Sequence, residues 1–308
     1  MPTAFEAERS HRKPARTTRI VVGLLAVWLL CSSSLPAQES PEPFVRRTIP
    51  DGIEYGLWNR TDSAPAPVLF VLAGTIESTL GKPYFRQCGN ELAEHGWVCV
   101  TIDLPCHGTQ AVEGQPTGLS GWSDLATRKR DFVAESNARL TRVLDHLIES
   151  GVADPERIAA CGTSRGGFLA IHFAAHDKRV KCAAGFAPVT DLAALSEFRA
   201  IVDDPFVATL SLESRIEQLT GRPVWIVIGD QDERVGTDRA NVFAQKLTAA
   251  SRAKKQDSRV ELNILPEPRG HSTPPGSSKR AANWILRQFP KSGDRDVRRQ
   301  LASRFSDN

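Results

Sequence analysis

The residues Gly162-Thr163-Ser164-Arg165-Gly166-Gly167 carry the most specific chemistry in the chain. An apolar, strand-like run, Arg157-Ile158-Ala159-Ala160-Cys161, leads into them, and a helix-like run, Phe168 to His176, follows. A serine between two spaced glycines at a strand-to-helix turn is a nucleophile turn. The flanking positions are too crowded for side chains, so glycine stands there. The turn exposes the hydroxyl and aims the first N–H groups of the helix at a developing oxyanion. The chemistry this predicts is acyl transfer, with Ser164 attacking a carbonyl carbon. The plainer reading of the same residues is a Gly/Ser turn that only starts a helix.

A serine nucleophile needs a base, and the base needs an orienting carboxylate. In the α/β-hydrolases, whose elbow the Ser164 turn resembles, the acid and then the histidine follow the serine in the chain. The histidines are His11, His95, His107, His146, His172, His176 and His271. Only His271, in Pro268-Arg269-Gly270-His271-Ser272, lies beyond every candidate acid strand, and it is the expected base. The acid is expected just after the apolar run Val224–Ile228, in Gly229-Asp230-Gln231-Asp232-Glu233-Arg234-Val235. Asp232 is preferred because the turn can aim it back at the histidine, with Asp230 second and Glu233 third. The carboxylates not used would serve as helix-start charges. The oxyanion donors are expected to be the N–H of Arg165 and that of Thr75, with Ile76 as the alternative to Thr75. Gly74 permits the sharp turn there. The Arg165 guanidinium is a candidate substrate-binding group: it could hold a substrate carboxylate or assist the oxyanion. A salt bridge is its plainer role.

These residues need a scaffold, and the pattern around them supplies one. Val68-Leu69-Phe70-Val71-Leu72 and Val224–Ile228 are short, fully apolar runs of the kind found in central parallel strands. Strands are also expected at 44–48, 53–58, 97–102, 157–161, 180–186 and 260–265. Helices are expected at 85–95, 124–150, 168–176 and 281–289, and residues 190–220 are mixed. In the 124–150 helix, Leu140, Val143, Leu144, Leu147 and Ile148 fall on one stripe. Alternating strands and helices predict an α/β fold: a three-layer α/β/α sandwich over a mostly parallel sheet, with little or no cap domain. The segment 190–220 is a candidate for the pocket rim.

With 308 residues, 41% hydrophobic and 24% charged, the composition is that of a globular chain. The net charge of +3 resides in residues 1–37, and a formally neutral remainder argues against nucleic acid as a partner. Residues 1–37 read as a signal peptide: a basic stretch to Arg19, an apolar run Ile20–Leu30, and small residues ending at Ala37. This predicts a secreted or periplasmic protein with no stable membrane insertion after cleavage; an uncleaved anchor is the alternative. Residues 38–290 are expected to form the catalytic domain and 291–308 a polar tail. No C-x-x-C occurs, and no metal or cofactor is expected. Cys99, Cys161 and Cys182 are expected in the core. Cys88 and Cys106, nearer loops, could pair in an oxidising compartment.

The chain resembles the α/β-hydrolases, and most closely their dienelactone-hydrolase and prolyl-oligopeptidase-like branch. The resemblance rests on Leu72-Ala73-Gly74-Thr75, Asp103-Leu104-Pro105-Cys106-His107-Gly108, Asp154-Pro155-Glu156-Arg157-Ile158, the Ser164 turn, the Asp232 segment and Gly270-His271. It spans roughly residues 50–290. It implies an eight-stranded, mostly parallel sheet and hydrolysis through an acyl-enzyme. Ala73-Gly74 stands where many relatives carry His-Gly, and the chain has no room for the propeller of true prolyl oligopeptidases. The expected function is a serine carboxylesterase acting on a small-molecule ester or acylated substrate. The alternatives are a small serine exopeptidase or amidase, or a hydrolase-fold binding protein without turnover.

Overall fold

The computed structural model describes residues 44–60 and 65–289. The strands are β1 (Val45–Thr48), β2 (Glu54–Trp58), β3 (Ala66–Leu72), β4 (Val98–Thr101), β5 (Ala153–Thr163), β6 (Val180–Phe186), β7 (Val224–Gly229) and β8 (Val260–Leu265). They form one sheet in the order β1-β2-β4-β3-β5-β6-β7-β8. β2 runs antiparallel to β1 and β4, and every other neighbouring pair is parallel. This is the eight-stranded, mostly parallel α/β-hydrolase sheet that the resemblance implied.

The helices are α1 (Ile76–Leu80), α2 (Pro83–Arg86), α3 (Cys88–Ala93), α4 (Gly118–Thr127), α5 (Phe132–Glu149), α6 (Arg165–His176), α7 (Pro205–Leu210), α8 (Ile216–Leu219), α9 (Thr237–Ala253) and α10 (Ser277–Gln288). Strand side chains alternate between two faces, and both are covered. Val68, Phe70 and Leu72 of β3 join one core with Trp122, Phe132, Phe168 and Phe243 from α4, α5, α6 and α9. Leu69 and Val71 join the other with Ile76, Leu92 and Ile285 from α1, α3 and α10. Burial on both faces is why β3 and β7 read as unbroken apolar runs. Each fully buried Leu or Phe contributes about 1.5–3 kcal/mol.

Several expectations need correction. The helix expected at 124–150 is two helices: Lys129 adopts φ 59°, and Asp131 caps α5 by accepting the Ala134 N–H. The helix expected at 85–95 breaks at Gln87, which has φ 48°. α1 and α9 are additional to the elements expected from the sequence. Cys88 is buried beside the core thiols Cys99, Cys161 and Cys182, and both it and Cys106 are free, so the pair is not bridged. Among the described residues no helix is long and apolar enough to cross a membrane. The expected signal peptide, 1–37, and the polar tail, 291–308, lie outside the described residues.

Candidate active site

β5 runs straight into α6 through Ser164, which adopts φ 56°, ψ −117°. A non-glycine residue held there costs about 1–3 kcal/mol. The neighbours explain why the chain tolerates it. A Cβ on Gly166 would lie 1.8 Å from the Leu72 carbonyl oxygen of β3. One on Gly162 would lie 2.3 Å from Gly166, and one on Gly167 2.8 Å from Pro188. β3, the elbow and the segment after β6 therefore touch backbone to backbone. The Ser164 N–H donates to the Phe186 carbonyl, and the Ser164 carbonyl accepts from Phe168 and Val189. The hydroxyl projects at the C-terminal edge of the parallel strands, where the loops of open α/β sheets gather.

Three sequence-predicted residues meet at this edge. His271 Nε2 lies 3.0 Å from Ser164 Oγ, and His271 Nδ1 lies 2.8 Å from Asp232 Oδ2. A carboxylate only accepts, so Nδ1 carries the hydrogen and Nε2 presents its lone pair to the serine hydroxyl. Asp232 follows β7 and is buried; its Oδ1 accepts the N–H groups of Arg234 and Val235. These bonds fix the carboxylate without competing for the oxygen that faces the histidine. Asp230, the second choice, sits elsewhere: its Oδ1 accepts the Glu267 N–H and braces the loop that bears His271. Glu233 is exposed and has no bond to the histidine.

Other side chains hold the loops in place. Gln87 Nε2 donates both to Thr163 Oγ1 beside the elbow and to Thr273 Oγ1 on the histidine loop. Tyr84 Oη accepts the Thr273 N–H. Buried Asp103, at the end of β4, accepts the Ile76 N–H at 2.7 Å with one oxygen and the Thr109 N–H at 2.8 Å with the other. It thereby ties the loop after β3 to the loop that carries His107.

The Arg165 N–H opens α6, where first-turn N–H groups have no intrahelical acceptor. Thr75 does line the site, but its N–H already donates to Ser78 Oγ at 3.0 Å in a capping box. The alternative, Ile76, is bound to Asp103. Neither is a free oxyanion donor in this structure, because the cap of α1 uses the Thr75 N–H and the Asp103 carboxylate takes that of Ile76.

Ser164 and His271 open onto a cavity of about 380 Å³. Its other walls include Ser78, Tyr84, Phe85, His107 and the side chain of Arg165. The segment 190–220, expected at the rim, is not among its lining residues; the loops after β3 and β4 take that place. Sequence reasoning assigned no site role to His107, Tyr84 or Phe85. His107 had a usable signal, since it follows a central strand at its C-terminal end. Tyr84 and Phe85 read only as helix residues.

The sheet order and the serine–histidine–carboxylate chain at its edge define a serine hydrolase of the α/β-hydrolase class. The fold is that of the α/β-hydrolases, and residues 138–289, which contain Ser164, Asp232 and His271, match the prolyl oligopeptidase family. Among solved structures, a candidate dipeptidyl aminopeptidase IV from Bacteroides ovatus is 18% identical with a TM-score of 0.59. That match covers 80% of this chain but only 35% of the other, so this chain spans about a third of its length. Acetyl xylan esterase 1 from Thermoanaerobacterium is 17% identical, TM-score 0.56, covering 80% of this chain and 83% of that one. A cold-adapted esterase from an Arctic intertidal metagenomic library is 17% identical, TM-score 0.56, covering 80% and 93%. No curated protein sequence matches the chain.

Proposed function

We propose that this protein is a carboxylesterase that cleaves a small-molecule ester through an acyl-enzyme. The observation that carries the reading is the hydrogen-bonded chain Ser164–His271–Asp232 at the mouth of the cavity. Ser164 Oγ attacks the ester carbonyl as its proton passes to His271 Nε2. The Asp232 carboxylate orients the imidazole and stabilises the imidazolium. The leaving alkoxide takes that proton, and a water molecule, deprotonated in turn by His271, releases the acid and restores the serine. The Arg165 N–H holds the oxyanion. Thr75 N–H is the second donor if the carbonyl oxygen displaces Ser78 Oγ from it. The likeness to two esterases over most of their length supports an ester substrate; the aminopeptidase is matched over about a third of its own. The match to the prolyl oligopeptidase family supports a second reading, a small serine exopeptidase or amidase.

A fluorophosphonate tests the assignment, because it bonds only to an activated serine, with fluoride leaving. One adduct by intact mass is expected on the wild type, none on Ser164→Ala, and a strongly slowed reaction on His271→Ala. Ester turnover should fall by about 10⁴-fold or more in either variant. No adduct on well-folded wild type would reject the hydrolase and favour a binding protein. Faster cleavage of aminoacyl amides than of esters would select the second reading. The basic-then-apolar N-terminus supports export to the periplasm or beyond; an N-terminal sequence starting after Ala37 in the expressed protein would test it.

A further inference from the structure

The Arg165 guanidinium stands at the site without an ion-pair contact: Arg234 lies near enough to repel it, and Glu197, the acid that attracts it, is held by Arg234. Its Nη1 lies 2.6 Å from His107 Nε2, and His107 Nδ1 lies 2.8 Å from the Pro105 carbonyl oxygen. The carbonyl can only accept, so Nδ1 bears the hydrogen and Nε2 accepts from the guanidinium. The imidazole is therefore neutral and acts as a polar rest for the arginine, not as its ion-pair partner. Both side chains line the cavity that holds Ser164 and His271.

The nearby acids are all engaged. Glu197 is bound to Arg234 at 2.6 Å. The Asp103 oxygens are taken by Ile76 and Thr109. Among the described residues, Arg165 makes no ion pair, and its single side-chain hydrogen bond is the one to His107. Elsewhere in the molecule, half-exposed arginines such as Arg179 and Arg239 reach carboxylates. A half-buried guanidinium beside a nucleophile, with donors still unused, calls for an anion from outside, and its planar fork suits a carboxylate.

We propose that Arg165 selects esters that carry a second, free carboxylate, and that His107 is a positioning residue that presents Arg165 to it. The substrate class is a monoester of a dicarboxylic acid, or an ester of a hydroxy acid. The inference rests on the esterase reading above. It concerns the side chain of Arg165, whereas the oxyanion role concerns its backbone N–H.

The test compares matched substrates. On the acyl side these are 4-nitrophenyl hydrogen adipate and 4-nitrophenyl methyl adipate. On the alcohol side they are 4-acetoxybenzoate and its methyl ester. The readout is the ratio of kcat/KM, charged over capped. In the wild type this ratio should exceed about 10 for one of the two pairs, since a charge-assisted hydrogen bond is worth roughly 1.5–3 kcal/mol. Arg165→Gln should bring it near unity, mainly through KM. His107→Phe, which removes the acceptor, should lower it, and His107→Gln, which restores one, should recover part of it.

A pH profile separates positioning from bulk structure. Burial, and then the charge of Arg165, hold His107 below its ordinary range, against the Pro105 hydrogen bond and the more distant Asp103 carboxylate. Protonating Nε2 would place a second donor against Arg165 and release it. The wild-type ratio should therefore hold through the ordinary histidine range and fall only below it, while the substrate carboxylate is still charged. In His107→Gln that fall should be absent. A wild-type ratio at or below unity for both pairs, or a ratio that survives Arg165→Gln, overturns the proposal. Turnover of capped esters alone would leave the esterase standing and remove only this inference. If no ester is turned over, calorimetry on Ser164→Ala with each charged and capped pair still decides, because preference for the charged member needs no chemistry.

Discussion

Two aspartates two positions apart have separate duties. Asp232 faces the histidine, and Asp230 braces the loop that bears it. Asp232→Asn should leave the fold intact and lower kcat by about 10³–10⁴-fold, because the amide stabilises the wrong imidazole tautomer and no imidazolium. Asp230→Asn should act mainly on stability, by about 1 kcal/mol, since one backbone hydrogen bond is weakened. Steady-state kinetics and denaturant melts of the two variants would separate these outcomes; equal kinetic losses would contradict the division. At this scale the sequence was highly legible. Ser164, Asp232 and His271 were recoverable from type and order because chemistry restricts what can stand there. That the Thr75 N–H is already bonded was not legible, because its acceptor, Ser78 Oγ, belongs to the cap of a five-residue helix that the sequence did not signal.

The elbow depends on close contact between the end of β3 and the first turn of α6 at Gly166. Gly166→Ala should destabilise the protein by about 3 kcal/mol or more, because the added methyl meets backbone and has nowhere to move. Thermal melts would show it, together with loss of fluorophosphonate labelling. A stable, labelled Gly166→Ala protein would mean that β3 can shift away from the elbow. The central strands were legible because burial on both faces leaves only apolar residues. The breaks at Gln87 and Lys129 were not, because each is a positive-φ residue that is not glycine, held by tertiary contacts. For Gln87 those contacts are the hydrogen bonds to Thr163 and Thr273. The rim of the cavity was misplaced for a related reason: which loop reaches the site depends on packing across strands, not on its composition.

Among the described residues, one histidine is fully buried. His172 is 1% exposed on α6, and neither ring nitrogen makes a hydrogen bond, although the Leu210 carbonyl lies close enough to favour the charged form slightly. Burial, aided by the Arg215 charge, lowers its pKa to about 3. The unfolded chain, with His172 near 6.5, binds more protons between those values, so stability rises with pH there. This group alone should contribute a slope of up to about 1.4 kcal/mol per pH unit between roughly pH 3 and 6.5, and none above. Urea melts at pH 4.5, 5.5 and 7.5 should show the slope in the wild type and a flatter profile in His172→Leu. Equal profiles would refute it.

Gln87 has a kinetic consequence as well. Its side chain joins residues 76 and 186 positions away in sequence, and also accepts from Ser278 on α10. Contacts of such long range close late, after local helices have formed. A refolding chain should therefore recover its helical circular dichroism before its reactivity toward fluorophosphonate. On the proposed function, Ser164 becomes reactive toward acyl groups only once the ends of the domain have met, so partly folded chains should be chemically silent.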